Sequence, residues 1–177
     1  ETLIQPTSPL LPFALAKVRK GPHIGVLHDA LAGDRFGLGV LDAMLRAKKL
    51  KVADRGFIHF TSTHYLHELD WSQSIAIKRL MVEQSNSSML LDDKAILKIY
   101  RHPAPGENPE VEMALFLTEM VPFANIPPIL GIMEYQDEHK TITLGLMSRY
   151  IENQGDGWSY VVDNLERDME LLHMMHP

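Results

Sequence analysis

The chain contains no cysteine in its 177 residues. That excludes a disulfide framework and any zinc site built on thiolates, and it fits a cytoplasmic protein. An excess of positive charge is also missing: Lys and Arg number 17 against 23 Asp and Glu, a net charge of −6. A general nucleic-acid binder carries the opposite balance. No apolar run reaches the roughly 18 residues a membrane helix needs. Residues 1–20 lack the order of a secretory signal, because the basic residues follow the apolar ones instead of preceding them. There is no Gly-x-x-x-x-Gly-Lys-Ser phosphate loop and no Gly-x-Ser-x-Gly elbow. Internal repeats and low-complexity segments are absent as well. What is present is an ordinary globular composition, 45% hydrophobic and 23% charged. The length suits one domain or two small subdomains. The chain opens on Glu1, so it is expected to be trimmed or cut from a longer protein.

The most informative stretch is Glu83 to Arg101, EQSNSSMLLDDKAILKIYR. It reads as a polar loop over Gln84–Ser88, a strand, a tight turn at Asp92-Asp93-Lys94, and a further strand carrying one lysine. Strand alternation puts Ile96, Lys98 and Tyr100 on one face and Leu97 and Ile99 on the other. An unpaired ammonium within an apolar run is costly, so Lys98 needs a partner or a route to water. The next helix offers carboxylates. Asn108 is a good N-cap and Pro109 a good first residue. The helix is expected over Pro109–Met120, ended by Pro122. Glu112, Phe116 and Glu119 follow at i, i+4 and i+7, so both glutamates share a stripe. Glu112 is the first choice of partner for Lys98 and Glu119 the second. The alternatives are a snorkelling lysine, a solvated glutamate face and a plain hairpin turn. A strand lysine paired with a glutamate on the following helix, beside a polar hairpin loop, is how a kinase lobe holds a nucleotide.

The residues before this stretch read as a strand–helix–strand preface. Glu1–Pro9 is a polar arm. Leu10–Lys20 is strand-like, Gly21-Pro22 a turn, and His23–Asp29 a short strand. Asp34 is placed to cap a helix over about Arg35–Lys49, with Phe36, Val40, Leu41, Met44 and Leu45 on its apolar face. Gly37 and Gly39 each cost that helix about 1 kcal/mol relative to Ala, which points to close packing there. Arg55–Ser62 alternates as a strand, His64–Trp71 connects, and Ile75, Ile77 and Leu80 begin another strand. His59, His64 and His67 lack a recognised metal spacing, and no metal site is assigned.

After the helix, Ile129–Tyr135 and Lys140–Tyr150 form a hairpin across the turn Asp137-Glu138-His139. Asp156 caps a final helix with Trp158, Val161, Val162, Leu165, Met169 and Leu172 on one side. Leu171, Met174 and Met175 widen that side. Such a helix exposes apolar surface unless more protein packs on it.

Taken in order, EQSNSSMLLDDKAILKIYR, GENPEVEMALFLTE, the pair Pro127-Pro128 and MSRYIENQGDGW resemble the maltokinase family. The resemblance runs from about Gly21 to the C-terminus and is closest from Glu83 to Trp158. It implies an aminoglycoside-phosphotransferase-like kinase fold of the α+β class. Residues 1–80 would form a small N-terminal cap. Residues 81–152 would form a kinase-like N-lobe, a five-stranded antiparallel sheet with one main helix. Residues 153–177 would leave through a hinge into the first helix of an absent C-lobe. The implied activity is ATP-dependent, Mg2+-assisted phosphorylation of maltose to maltose 1-phosphate, in a protein often fused to trehalose synthase. The implied nucleotide contacts are Ser85, Asn86, Ser87 and Ser88 over the phosphates, Lys98 on phosphate, Glu112 fixing Lys98, and Met147, Ser148, Arg149 and Tyr150 at the adenine. The aspartate that orients the nucleophile and the metal ligands of a kinase second lobe have no counterpart after Tyr150. This stretch is therefore expected not to transfer phosphate by itself, and no catalytic residue is assigned. The rival expectation is a non-catalytic domain that braces a trehalose synthase domain.

Overall fold

The computed structural model describes residues 11–52, 55–80, 86–121 and 123–175. The chain folds as α+β with two antiparallel sheets. The small one is a hairpin of β1 (Ala14–Lys20) and β2 (His23–His28), turned at Gly21, whose φ is 60°. The strand expected from Leu10 starts only at Ala14, because Leu11–Phe13 make a single 3-10 turn.

Helix α1 (Asp34–Leu45) follows a short turn capped by Asp29, whose Oδ1 accepts the Leu31 N–H at 2.9 Å. Gly33, not Asp34, is the N-cap. Asp34 instead pairs with Arg79, 3.0 Å away. The helix stops four residues short of the expected Lys49. Ala47 adopts a left-handed φ of 47° and reverses the chain, so that Lys49–Lys51 can form β3. The packing argument holds at Gly37, where a Cβ would lie 2.9 Å from Ile77 Cδ1. It fails at Gly39, which faces open space.

The main sheet takes β3, β4 (Phe57–Ser62), β5 (Ile77–Leu80), β6 (Asn86–Leu91), β7 (Ala95–Tyr100), β8 (Ile129–Gln136) and β9 (Thr141–Arg149). Their spatial order is β3-β4-β8-β9-β7-β6-β5. It thus has seven strands where five were expected. The additional ones come from the preface: β4 pairs with β8 from Phe57↔Gln136 to Ser62↔Gly131, and β3 extends the edge. β5 and β6, which lie on either side of the expected boundary at residue 80, pair with each other. A short helix α2 (His64–His67) lies in the expected connection.

Two hydrophobic clusters sit on opposite faces of the sheet. The larger joins Val40, Leu41 and Met44 of α1 to Met89, Leu97, Leu130 and Met147. The smaller joins helix α3 (Pro109–Leu115), through Val111, to Ile129, Ile132 and Leu146. Asn108 caps α3 as expected, its side chain accepting the N–H groups of Glu110 and Val111 at 3.0 and 3.3 Å. The helix does not continue to Met120 as α: Phe116–Met120 widens into a π turn. This lets the buried Thr118 hydroxyl accept the Ile129 N–H at 3.2 Å and lock the turn to β8. Pro122 lies outside the described residues. Helix α4 (Gly157–Met175) begins at Asp156, whose carboxylate takes the Ser159 N–H and hydroxyl, each at 2.9 Å. Its apolar residues stand open, Trp158 at 79% and Met169 at 70% exposure.

Candidate functional site

Lys98 and its neighbours come together because β7 alternates. Ala95 and Leu97 are buried in the α1 cluster, which turns Ile96, Lys98 and Tyr100 to the α3 side. The turn that sets this register is the expected Asp92-Asp93-Lys94. Asp92 and Asp93 both take left-handed φ values, 52° and 50°, at the centre of a turn that the Lys94 N–H closes on the Leu91 carbonyl at 2.9 Å.

Helix α3 crosses that face with its first turn above Lys98. The ammonium lies 3.0 and 3.1 Å from the two carboxylate oxygens of Glu110. The Tyr100 hydroxyl donates to Glu110 Oε2 at 2.8 Å, and the Lys98 ammonium sits 5.7 Å from the Tyr100 ring centre. Lys98 is therefore braced by a carboxylate and an aromatic from two elements. The partner is Glu110 and not Glu112. Val111 fixes the roll of the helix by burying itself in the sheet. Glu110 is then left on the Lys98 side, and Glu112 is turned outward and exposed. Glu119, the second choice, lies 3.7 Å from His64 instead.

Of the residues expected in the phosphate loop, the described ones are strand. Ser85 lies outside the described residues, and Asn86, Ser87 and Ser88 belong to β6. They extend as strand because β7 runs long enough to pair them, Asn86↔Tyr100, Ser87↔Ile99 and Ser88↔Lys98. Alternation then divides them. Asn86 and Ser88 share the face of Lys98, with Ser88 directly opposite it and only 8% exposed. Ser87 points to the other face, where its hydroxyl accepts the Arg101 Nε–H at 2.8 Å. The same register places Leu90 opposite Ile96. The face thus grades from apolar at Leu90 and Ile96, through Ser88 and Lys98, to polar at Asn86 and Tyr100.

The backbone expected to grip adenine is committed within the protein. Met147 is fully buried in the α1 cluster. Met147 and Ser148 are laddered to β7 on one side and β8 on the other. The N–H groups of Arg149 and Tyr150 donate to Pro128 and Lys94 carbonyls at 2.9 and 2.8 Å. The chain leaves the sheet at Ile151. Backbone available to a ligand therefore begins just after Tyr150, while Ser148 borders the Lys98 face, opposite Ile96. The signal that could have found this is the length of β9, whose central position commits its backbone on both edges.

No protein-family model matches the chain. Among solved structures, a glucosamine kinase in complex with glucosamine, ADP and inorganic phosphate is similar, with a TM-score of 0.53 at 18% identity. The alignment covers 85% of this chain and 32% of that one. A second glucosamine kinase structure, crystal form B, aligns over 75% of this chain and 42% of its own, with a TM-score of 0.39 and 12% identity. The first likeness shows the fold: the α+β architecture is similar to part of a kinase-like sugar kinase. The second is too loose to carry an argument.

Proposed function

We propose that this chain is the nucleotide-holding part of an ATP-dependent sugar kinase. The observation that carries the reading is Lys98, held by both oxygens of Glu110 on the helix that follows its strand. That is the order in which a kinase fold presents a phosphate-binding lysine and its carboxylate. In this reading the triphosphate lies along Ser88 and Lys98, and the purine lies over Leu90 and Ile96, with backbone beyond Tyr150 at its edge. Residues 81–152 would be the nucleotide lobe, residues 1–80 its N-terminal cap, and 153–177 the way out toward further protein. The glucosamine kinase with this fold was solved with ADP and its sugar bound, which supports nucleotide and sugar as ligands. This chain spans 32% of that protein's length, so the complete reaction belongs to a larger unit. The described residues hold no group of three or more His, Asp or Glu able to bind a metal, and Glu110 is committed to Lys98 and Tyr100. No magnesium site is assigned to them.

The acceptor has two candidates: maltose, from the motif resemblance, with maltose 1-phosphate as product, and glucosamine, from the structural likeness. A coupled assay of each sugar with ATP, on the full-length protein, distinguishes them. For this chain the test is thermal stability with millimolar Mg-ATP. Ligand at 100 times its dissociation constant stabilises by about 2.7 kcal/mol, and Lys98→Ala should abolish the shift. Wild type and Lys98→Ala shifting equally would refute the role of Lys98.

A second reading is favoured by the open apolar side of α4, with Val161, Leu165 and Leu172 between 52% and 60% exposed. It makes the chain an interaction domain that braces a trehalose synthase domain and binds no nucleotide. Absence of any shift at millimolar Mg-ATP, with stable association to that enzyme, would select it.

A further inference from the structure

Two surfaces of this chain stand uncovered and carry opposite charge. The first is the β1–β2 hairpin. Neither strand holds a buried residue, and no third strand joins them among the described residues. A two-stranded ribbon is marginal by itself and gains stability by packing on a helix. The register sets Lys17 opposite Val26 and Arg19 opposite Ile24, and residues directly opposed share a face. That face therefore sets two cations beside two aliphatic side chains, and Ile24 is 61% exposed. Lys20 stands opposite His23 on the other face and is not part of this surface. No Asp or Glu lies between Glu1 and Asp29, and Asp29 is held at the root, where it takes the Leu31 N–H.

The second surface is the outer side of α3 and its π turn. Val111 turns the inner side to the sheet. Glu112 and Phe116 lie one turn apart on the outside. Met113, Phe116 and Met120 are 54%, 47% and 74% exposed. No Lys or Arg occurs between Arg101 and Lys140, and Lys140 itself lines a cleft with Glu107 and Glu134. Glu110 is held by Lys98 and Glu119 lies beside His64, so Glu112 is the carboxylate this side presents. The two surfaces leave the sheet on opposite faces. Phe13, at the root of the hairpin, lines a cavity with Leu31 and Met89, and Met89 belongs to the cluster under α1. Helix α3 packs on the other face.

We propose that the hairpin of one copy docks on the α3 side of a second copy, with Ile24 and Val26 against Phe116 and Met120, and with Lys17 and Arg19 beside Glu112. The second copy supplies the helix that the ribbon lacks, and it matches the apolar and the charged parts of the surface it covers. Two copies that each give and receive a hairpin close a dimer. The inference does not depend on nucleotide binding.

The test is sedimentation velocity of the 177-residue chain up to about 500 µM, where even a millimolar dissociation constant leaves a measurable dimer fraction. The expected result is a reversible dimer that weakens between about 0.05 and 0.5 M salt. Ile24→Glu on the hairpin and Met120→Glu on the π turn, both at exposed positions, should each weaken association about ten-fold or more with unchanged circular dichroism. Mixing the two variants should restore part of it, because one intact hairpin then meets one intact α3 side. Lys17→Glu with Arg19→Glu should also weaken the dimer, and adding Glu112→Lys should recover it. Met169→Glu on α4 should change nothing. A chain that stays monomeric at the highest concentration would overturn the proposal. So would a dimer that survives either single variant, a mixture that fails to associate, or a loss of association in Met169→Glu, which would place the contact on α4.

Discussion

Neutralising Glu110 tests the contact on which the candidate site turns. Lys98 is 21% exposed at its side chain and Glu110 is 47% exposed, so solvent screens the pair. Exposed pairs contribute about 0.2–1 kcal/mol, and the two-oxygen geometry places this one toward the upper end. A double-mutant cycle of Lys98→Met and Glu110→Gln, read by urea unfolding, should return a coupling of about 0.5–1 kcal/mol. The cycle with Glu112→Gln should return zero within about 0.3 kcal/mol, because that carboxylate faces outward. Tyr100→Phe should couple to Glu110→Gln by about 0.5 kcal/mol, the lower end for a hydrogen bond, since its hydroxyl has lost a charged acceptor. The Lys98–Glu110 term should shrink at about 1 M salt, where the screening length falls to about 3 Å. A Lys98–Glu112 coupling equal to or larger than the Lys98–Glu110 one would refute the reasoning. It would mean that the helix rolls in solution to present its other carboxylate.

Further expectations follow from the packing and from one helix cap. Gly131→Ala should destabilise by about 1–3 kcal/mol, because its Cβ would lie 2.7 Å from the Thr61 carbonyl and 2.8 Å from Met44 Sδ. Gly39→Ala, with nothing within reach, should stabilise α1 by about 0.5–1 kcal/mol; equal effects from the two glycines would sink the argument. Thr118→Val should cost about 1–3 kcal/mol by leaving the Ile129 N–H buried and unpaired, seen as earlier unfolding and faster exchange of that amide. Asp156 is held below the usual carboxylate range by the Ser159 N–H first and the Ser159 hydroxyl next. A depressed folded value means its stabilisation is complete above its unfolded value of about 3.9. It is lost as pH falls through the lower folded value. The Ser159 amide signal should therefore titrate in that acid window, and Asp156→Asn should remove the dependence.

The parts of this fold that were legible in the sequence are those set by neighbours in the chain. The Asn108 cap, the Asp92-Asp93 turn, the Asp156 cap and the shared face of Ile96, Lys98 and Tyr100 each depend on a few consecutive residues. What was not legible depends on which distant surface an element meets. Glu112 seemed the natural partner because spacing within a helix identifies stripes. Spacing does not say which stripe lies on the sheet, and the burial of Val111 in the cluster with Ile132 and Leu146 decides it. Asn86 to Ser88 read as loop on composition, and became strand because β7 offers partners as far as Tyr100. The same alternation then sends Ser87 away from the face that Asn86 and Ser88 share. Of the two extra strands, β4 was visible as alternation around Phe57, whereas β3 begins at Lys49, where the helix was expected to end. The place of β4 beside β8 rests on pairing across almost eighty residues, Phe57 to Gln136, for which a single sequence carries no local sign.

The asymmetry of the two clusters bears on how such a site could work. The larger core joins α1 to β4, β6, β7, β8 and β9, so α1 packs on the face of the sheet behind Lys98. The α3 side has a smaller core around Val111, Ile129, Ile132 and Leu146. Lys98 therefore stands on a strand fixed from behind, while its carboxylate rides on a short, lightly packed helix that ends in a π turn. Local opening tends to occur where buried apolar contacts are few. Of the pair, Glu110 is the member that can move, and displacement of α3 would release the ammonium without disturbing the sheet. In the kinase reading, a ligand phosphate and the position of α3 would then be coupled through this one salt bridge, and the stability of the preface would set how firmly Lys98 waits for it.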